Sequence, residues 1–295
     1  GAGLVLCGID DKRVLKDKNI IQSPPREIML REFKDAGTGH AAVPVGVPYL
    51  VNKGRGIRLP SRPGIDYRPG WEIDYDYYAA HYGRAILWAA GKEPEVALAL
   101  ELPGAMLDRN APASLRIFIT NDGANASVVD IRIRRSDGFT IPLPAQKIKE
   151  VNTAITVPLP SLSAGSYRID AIARGKRGVE NFADIPFTVI SRRAVTNIVL
   201  DRDWAEVGEK ITGKVAVIGD PSGKELLLVS LHDARGRELV RQEISAADGA
   251  AFSFTVDNTL PMLVTVRASL QAKAPGTAME EETSYAWRFA HVVKR

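Results

Sequence analysis

Two stretches of the sequence decide the fold: residues 131–138 read Ile-Arg-Ile-Arg-Arg-Ser-Asp-Gly, and residues 229–236 read Val-Ser-Leu-His-Asp-Ala-Arg-Gly. Each stretch begins with alternating apolar and polar residues and runs into a turn that contains Asp and Gly. Alternation with a period of two predicts a strand with one buried face, and the Asp and Gly residues predict a hairpin turn. The recurrence of this pattern 98 positions later predicts a tandem of two similar β-domains.

The residues around both stretches extend the same alternation. From Glu95 onward, short apolar/polar runs are separated by turn signals such as Asn121-Asp-Gly123 and Ala164-Gly165. About seven short strands over residues 94–192 are typical of an immunoglobulin-like β-sandwich. The pattern recurs over residues 193–295, with a predicted boundary near Ser191-Arg192-Arg193.

Residues 1–93 have a different pattern, which predicts a partial α/β domain. The run Leu4-Val-Leu-Cys7 predicts a buried, parallel strand, and residues 47–59 predict a hairpin. Residues 71–90 are a helix candidate, which Gly91 would end. The predicted inward stripe of this helix is Ile73, Tyr77, Ala80, Leu87 and Ala90. The opening Gly-Ala-Gly-Leu-Val suggests a piece of a longer protein.

The composition excludes several classes of protein. The 295 residues are 45% hydrophobic and 25% charged, which is unlike a disordered chain, a collagen or a coiled coil. No apolar run approaches the roughly 18–20 residues of a membrane-spanning helix, so we expect no membrane span. The single cysteine, Cys7, excludes an internal disulfide and a cysteine-rich zinc site.

The net charge of +4 is spread along the chain rather than concentrated on one element. The densest basic clusters are Arg132, Arg134 and Arg135, and then Arg174, Lys176 and Arg177. A nucleic-acid binder usually concentrates such charge on one face. We therefore interpret Arg132 and Arg134, which alternate along a predicted strand, as its solvated face rather than as a phosphate patch, and we expect no nucleic-acid partner.

Five segments resemble a known family, and one of them, residues 1–8, resembles an early strand of its α/β domain. Residues 77–94 (Tyr-Tyr-Ala-Ala-His-Tyr-Gly-Arg-Ala-Ile-Leu-Trp-Ala-Ala-Gly-Lys-Glu-Pro) are similar to the last helix of the glutamine-amidotransferase-like domain in large bacterial glycoside-hydrolase-like proteins, and residues 49–59 resemble the hairpin before it. That domain is akin to the β-galactosidase trimerisation domain. Residues 159–167 and 232–237 resemble motifs of the sandwiches that follow such domains.

The resemblance implies a non-catalytic accessory region of a secreted or periplasmic carbohydrate-active protein. Such a region would position or oligomerise a catalytic domain that lies outside this chain. The implied partners are other domains or chains of the parent protein, a polysaccharide, and further copies of the chain. The resemblance implies no cofactor.

Candidate catalytic groups have simpler interpretations. Cys7 lacks the first glycine of a nucleophile elbow and is interpreted as a small buried hydrophobe. The four histidines are scattered, with no spacing that indicates a metal site. The run Glu280-Glu-Glu282 is interpreted as a solvated loop. The sequence therefore predicts no catalytic residue and no metal ligand.

The best candidates for a binding role are aromatic. Aromatic residues are densest between positions 67 and 78, in and after a proline-rich loop, and His40 lies in a glycine-rich loop. The predicted carbohydrate or interface contacts are Tyr67, Trp71, Tyr75, Tyr78 and His40. Trp204 and Trp287 are interpreted as core residues of the last sandwich.

Three functions remain open from the sequence. The first is the accessory region described above. The second is a free-standing protein–protein interaction or assembly module that uses exposed sheet edges. The third is a hydrolase fragment whose active site is completed by missing residues or by a partner chain.

Overall fold

The structure is a computed structural model. It describes four short strands and some residues between 79 and 92 in the N-terminal third. Beyond that it describes residues 96–294, apart from 122–125, 151, 177, 222–224 and 274–279. Most of these residues are in strands.

The N-terminal strands form one mixed sheet. They are β1 (Leu4–Cys7), β2 (Ile20–Gln22), β3 (Val47–Val51) and β4 (Gly54–Leu59), in the spatial order β1-β4-β3-β2. β1 runs parallel to β4, and β3 pairs with β4 as an antiparallel hairpin. The predicted parallel strand and hairpin are therefore confirmed, and an α/β domain over residues 1–93 stays a prediction.

The helix candidate is described at a few positions. Residues 79, 82, 83, 86, 87 and 89 have helical conformation, and the Ala90 N–H donates to the Ile86 carbonyl at 2.9 Å. The predicted inward stripe is wrong at this end, because Leu87 and Ala90 are exposed and Ala89 is buried. The spacing placed the stripe one position away from the residue that is buried.

Eight strands form the first sandwich. They are β5 (Val96–Glu101), β6 (Met106–Asp108), β7 (Ser114–Asn121), β8 (Ala126–Arg135), β9 (Thr140–Lys147), β10 (Asn152–Pro158), β11 (Gly165–Gly175) and β12 (Gly178–Ile190). They make a three-stranded sheet in the order β10-β7-β5 and a five-stranded sheet in the order β6-β12-β11-β8-β9. Alternate residues along β7 and β8 are buried, as the period of two predicts.

Eight further strands form the second sandwich. They are β13 (Ala194–Leu200), β14 (Trp204–Glu206), β15 (Lys210–Ile218), β16 (Glu225–His232), β17 (Glu238–Ile244), β18 (Ala250–Thr255), β19 (Leu263–Lys273) and β20 (Glu280–Val293). Their sheets have the orders β13-β15-β18 and β14-β20-β19-β16-β17. One apolar cluster takes side chains from both sheets, including Val215, Leu231 and Val266.

The strand order is the same in both sandwiches, position by position. In each, the first, third and sixth strands form the small sheet, and a short second strand runs parallel to the last strand. This is an immunoglobulin-like arrangement of a β-sandwich. The two turns also match, since Gly138 and Gly236 both have positive φ and both donate to a carbonyl three residues back. The tandem predicted from these stretches is confirmed.

The chain divides into two compact units. The first unit comprises Gly1–Ala105, Ser114–Pro158 and Arg168–Phe187, and the second comprises Met106–Ala113, Leu159–Tyr167 and Thr188–Arg295. The second unit therefore includes two segments, 106–113 and 159–167, that precede its main stretch. The predicted boundaries near residues 93 and 192 stay predictions.

The predicted solvated face is confirmed at Arg132, which is exposed, whereas Arg134 is half-buried. Arg132 is ion-paired with the buried Asp170 at 2.7 Å. Arg135 is itself buried, and its guanidinium contacts Asp137 at 2.9 Å. Buried charges require partners of opposite sign, so Arg132 neutralises Asp170 on the neighbouring strand and Asp137 neutralises Arg135 within the turn.

Candidate functional site

A surface pocket of about 430 Å³ lies within the second unit. Its walls are residues 107–113 and 159–162, together with Val189. The parallel pairing of β6 with β12 places Leu107 opposite Val189. The chain then turns away after Asp108, whose carboxylate accepts the Asn110 N–H at 2.8 Å. The volume falls within the range of small-ligand pockets.

Arg109 supplies the cationic wall of this pocket. Its N–H donates to the Ile190 carbonyl at 2.9 Å, which holds the backbone beside β12. Its guanidinium Nη2 is 2.5 Å from Glu281 Oε1, and its Nε is buried without a hydrogen-bond partner among the described residues. An arginine with a spare donor favours an anionic or carbonyl-bearing group nearby.

Glu282 is held by several hydrogen-bond donors. Its carboxylate accepts hydrogen bonds from Arg267 Nη2, from Ser269 Oγ at 2.8 Å and from Ser163 Oγ at 3.1 Å. The interpretation of residues 280–282 as a solvated loop is therefore wrong. These residues begin β20, and the alternation of the strand turns Glu282 toward Arg267. A carboxylate saturated in this way is a structural anchor, because its lone pairs are already occupied.

The motif at residues 159–167 has a physical explanation. The Tyr167 hydroxyl donates to the Ser163 carbonyl at 2.8 Å, which is the tyrosine corner of immunoglobulin-like sandwiches. The Tyr285 ring stands edge-on to Tyr167 with centroids 6.0 Å apart, and its hydroxyl donates to the Ser166 carbonyl. A Cβ on Gly165 would lie 2.3 Å from the Tyr285 ring, so only glycine fits there.

A serine and a histidine are hydrogen-bonded at the end of β16. Ser230 Oγ lies 2.8 Å from His232 Nε2, and His232 Nδ1 lies 3.1 Å from the Gly236 carbonyl oxygen. A carbonyl can only accept, so Nδ1 carries the proton in the neutral ring and the Ser230 hydroxyl donates to Nε2. This is the geometry of an activated hydroxyl, and it also satisfies a serine that is 6% exposed. The pair was not predicted from the sequence, although the i, i+2 spacing of Ser230 and His232 places both side chains on one face of the strand.

Asp233 organises the turn that follows this pair. Its Oδ1 accepts the N–H groups of Arg235 and Arg237, each at 2.9 Å, and its Oδ2 accepts Arg237 Nε at 2.7 Å. The hydrogen bond from the Arg237 backbone is the main cause that holds the pKa of Asp233 below the ordinary value of 3.8.

We expect Asp233→Asn to loosen this turn at neutral pH. Because the pKa of Asp233 is lower in the folded than in the unfolded state, its carboxylate stabilises the fold at pH values above the unfolded-state pKa. That stability is lost as the pH falls through the folded-state pKa. The difference between wild type and variant should therefore be largest near pH 7 and should shrink below pH 3.8. Hydrogen exchange of residues 229–241 across this range measures it, and an NMR titration midpoint above 3.8 for Asp233 would contradict the assignment.

The predicted aromatic contacts lie outside the residues that the structure describes. This holds for Tyr67, Trp71, Tyr75, Tyr78 and His40, which therefore stay predictions. Cys7 is the last residue of β1, and nothing further is described there.

The two tryptophans of the last sandwich differ. Trp287 is buried, as predicted, and packs edge-on against Phe289 with centroids 5.1 Å apart. Trp204 was predicted in the core and is 40% exposed instead, with the Arg202 guanidinium 4.6 Å from its ring centroid. It lies on the short edge strand β14, where a side chain is covered on one side only.

Within the described ranges, no group of three or more His, Cys, Asp or Glu side chains is placed to hold a metal ion. The same residues contain no helix whose length and apolar character would suit a bilayer crossing.

Comparison with known proteins gives structural neighbours alone. No family model matches the chain, and no curated protein is similar to it. The CARDB domain of a Pyrococcus furiosus protein, solved in complex with di-metal ions, is 16% identical with a TM-score of 0.27 and covers 33% of this chain and 89% of its own.

Two further solved structures match longer stretches. A tetra-tandem repeat from the extending region of a large adhesion protein is 19% identical with a TM-score of 0.28, over 66% of this chain and 49% of its own. A Salmonella alpha-2-macroglobulin is 11% identical with a TM-score of 0.29, over 68% of this chain and 16% of its own. Because these TM-scores are low, the assignment of the fold is based on the strand order and the apolar core of the chain itself.

Proposed function

We propose that this chain is a non-catalytic accessory region of a carbohydrate-active protein and that it positions a catalytic domain outside these residues. One observation carries the proposal: several partly buried charges are paired with one another across the fold. Arg168 is paired with Asp184, Arg193 with Glu225, and Arg267 with Glu282. Groups that hold strands together in this way supply rigidity rather than proton transfer.

Three further parts of the proposal follow the family resemblance. Residues 1–93 would be an amidotransferase-like α/β unit, in which β1 runs parallel to β4. The protein would be secreted or periplasmic, and the partners would be neighbouring domains or a polysaccharide. Cell fractionation with an antibody to the chain tests the location, and a cytoplasmic signal alone would contradict it.

A second candidate function is a protein–protein assembly module. The observation that favours it is the strand β17, which lies at the edge of its sheet and carries exposed side chains at residues 238–241. Open edges of this kind are used for pairing with other chains.

A third candidate function is a hydrolase fragment, and the Ser230–His232 hydrogen bond is the observation that favours it. The accessory proposal and this one make opposite predictions for the purified chain. We expect p-nitrophenyl acetate and aryl glycosides to be hydrolysed at background rate by the wild type and by Ser230→Ala alike. Hydrolysis that is lost in Ser230→Ala would contradict the accessory role and establish the hydrolase.

A further inference from the structure

The two sandwiches protect equivalent edges differently. β9 and β17 are the corresponding edge strands of the two five-stranded sheets. β9 contains Pro142 and Pro144, which have no N–H to donate to a new strand. Prolines at alternate positions of an edge strand place their nitrogens on its unpaired side. β17 reads Glu-Leu-Val-Arg-Gln-Glu-Ile and contains no proline. The edge of the second sandwich is therefore open where that of the first is closed.

The pairing with β16 assigns each side chain of β17 to a face. Gln242 lies opposite Val229 and Ile244 opposite Leu227, both of which are core residues, so these two side chains face inward. Arg241 and Glu243, on either side of Gln242 in the strand, lie on the outer face. The Arg241 side chain is 63% exposed, and its partner Glu238 is also on the surface, so their 2.9 Å ion pair is easily exchanged.

The sequence of β17 is complementary to itself in one antiparallel register. A two-fold axis at Gln242 places Arg241 of each chain opposite Glu243 of the other on the outer face. The same axis places Val240 opposite Ile244 on the inner face. Residues directly opposite each other in a sheet have their side chains on the same face, so the two-fold axis must lie at a residue and not between two residues. An axis at Arg241 would place the Arg241 side chains of the two chains opposite each other, and like charges in that position are destabilising.

We propose that β17 pairs with β17 of a second copy of this chain, antiparallel about Gln242, to join two five-stranded sheets into one. Pairing about a two-fold axis gives a closed dimer with each contact made twice. One strand pair buries less area than the roughly 1,200 Å² of a stable complex, so the dimer is weak and depends on concentration. This inference adds a partner to the proposed accessory role, which does not require it.

A charge exchange tests the register. Arg241→Glu should set Glu against Glu in both contacts, and Glu243→Arg should set Arg against Arg. We expect each single variant to weaken the dimer at least about tenfold, whereas the double variant restores it because the pairs are exchanged. Sedimentation equilibrium of the full chain, over micromolar to millimolar concentrations, gives the dissociation constants.

Arg202→Glu is the matched control, since it reverses an exposed, ion-paired charge on the same unit away from β17. It should leave the dissociation constant unchanged, and circular dichroism verifies that all variants are folded. A wild type that stays monomeric throughout, or a double variant as weak as the singles, overturns the proposal. Neither result bears on the hydrolysis assay, so the accessory role is tested separately.

Discussion

Arg193→Met should destabilise the second unit by about 3–5 kcal/mol, the cost of removing one partner from a buried ion pair. Arg193 Nε is 2.9 Å from Glu225 Oε2, and both side chains are largely buried, at 13% and 8% exposure. Its Nη1 also donates to the Gly219 carbonyl at 2.6 Å, and its Nη2 donates to the Ala246 carbonyl. Hydrogen exchange of β15 and β16 amides in the full chain measures the loss.

Two controls separate the buried pair from a general effect of removing charge. Arg202→Met removes an exposed pair with Glu209 and should cost less than about 1 kcal/mol. Arg193→Met combined with Glu225→Leu removes both charges and should recover much of the loss. If the double variant is as unstable as Arg193→Met alone, the carbonyl hydrogen bonds rather than the ion pair carry the effect.

Local patterns predicted the strands because their signal is contained in neighbouring residues. Ile131 and Ile133, and likewise Val229 and Leu231, are buried while the residues between them are less so or face the other side. Each strand has one face against a core, so a period of two follows from the geometry of the backbone. The turns at Gly138 and Gly236 were predictable for the same reason.

Partners distant in the chain could not be predicted in this way. Arg193 was interpreted as part of a boundary, although its partners lie at positions 219, 225 and 246. The pairing of Arg132 with the buried Asp170 was not predicted either, because alternation does not report which charges lie on the neighbouring strand. Trp204 was placed in the core because composition does not reveal that its strand lies at an edge.

The pocket shows the same limit for the candidate site. Its two walls, residues 107–113 and 159–162, carry no motif for ligand binding, and they are joined by the Leu159 N–H, which donates to the Ala113 carbonyl at 2.9 Å. The motif at residues 159–167 was recognised, but its reason lies in the Tyr285 ring against Gly165. The aromatic candidates at residues 67–78 remain predictions.

Leu231→Ala should cost about 2–5 kcal/mol in the stability of the second unit. Leu231 is fully buried, and it belongs to the apolar cluster that takes side chains from both sheets. Truncation removes the transfer free energy of the side chain and leaves a cavity. The cavity persists because the neighbouring strands β17 and β19 are held in register with β16 and relax only in part. Hydrogen exchange of β16 and β19 amides should show the loss.

Leu239→Ala is the matched control for this substitution. Leu239 lies on the next strand of the same hairpin and is 38% exposed, so the same change of side chain should cost less than about 0.5 kcal/mol. The comparison isolates burial, since residue type and hairpin are common to both variants. Equal losses of stability in the two variants would mean that burial of Leu231 is not the cause of the effect. A loss below about 1 kcal/mol for Leu231→Ala would contradict the packing of this side chain between the two sheets.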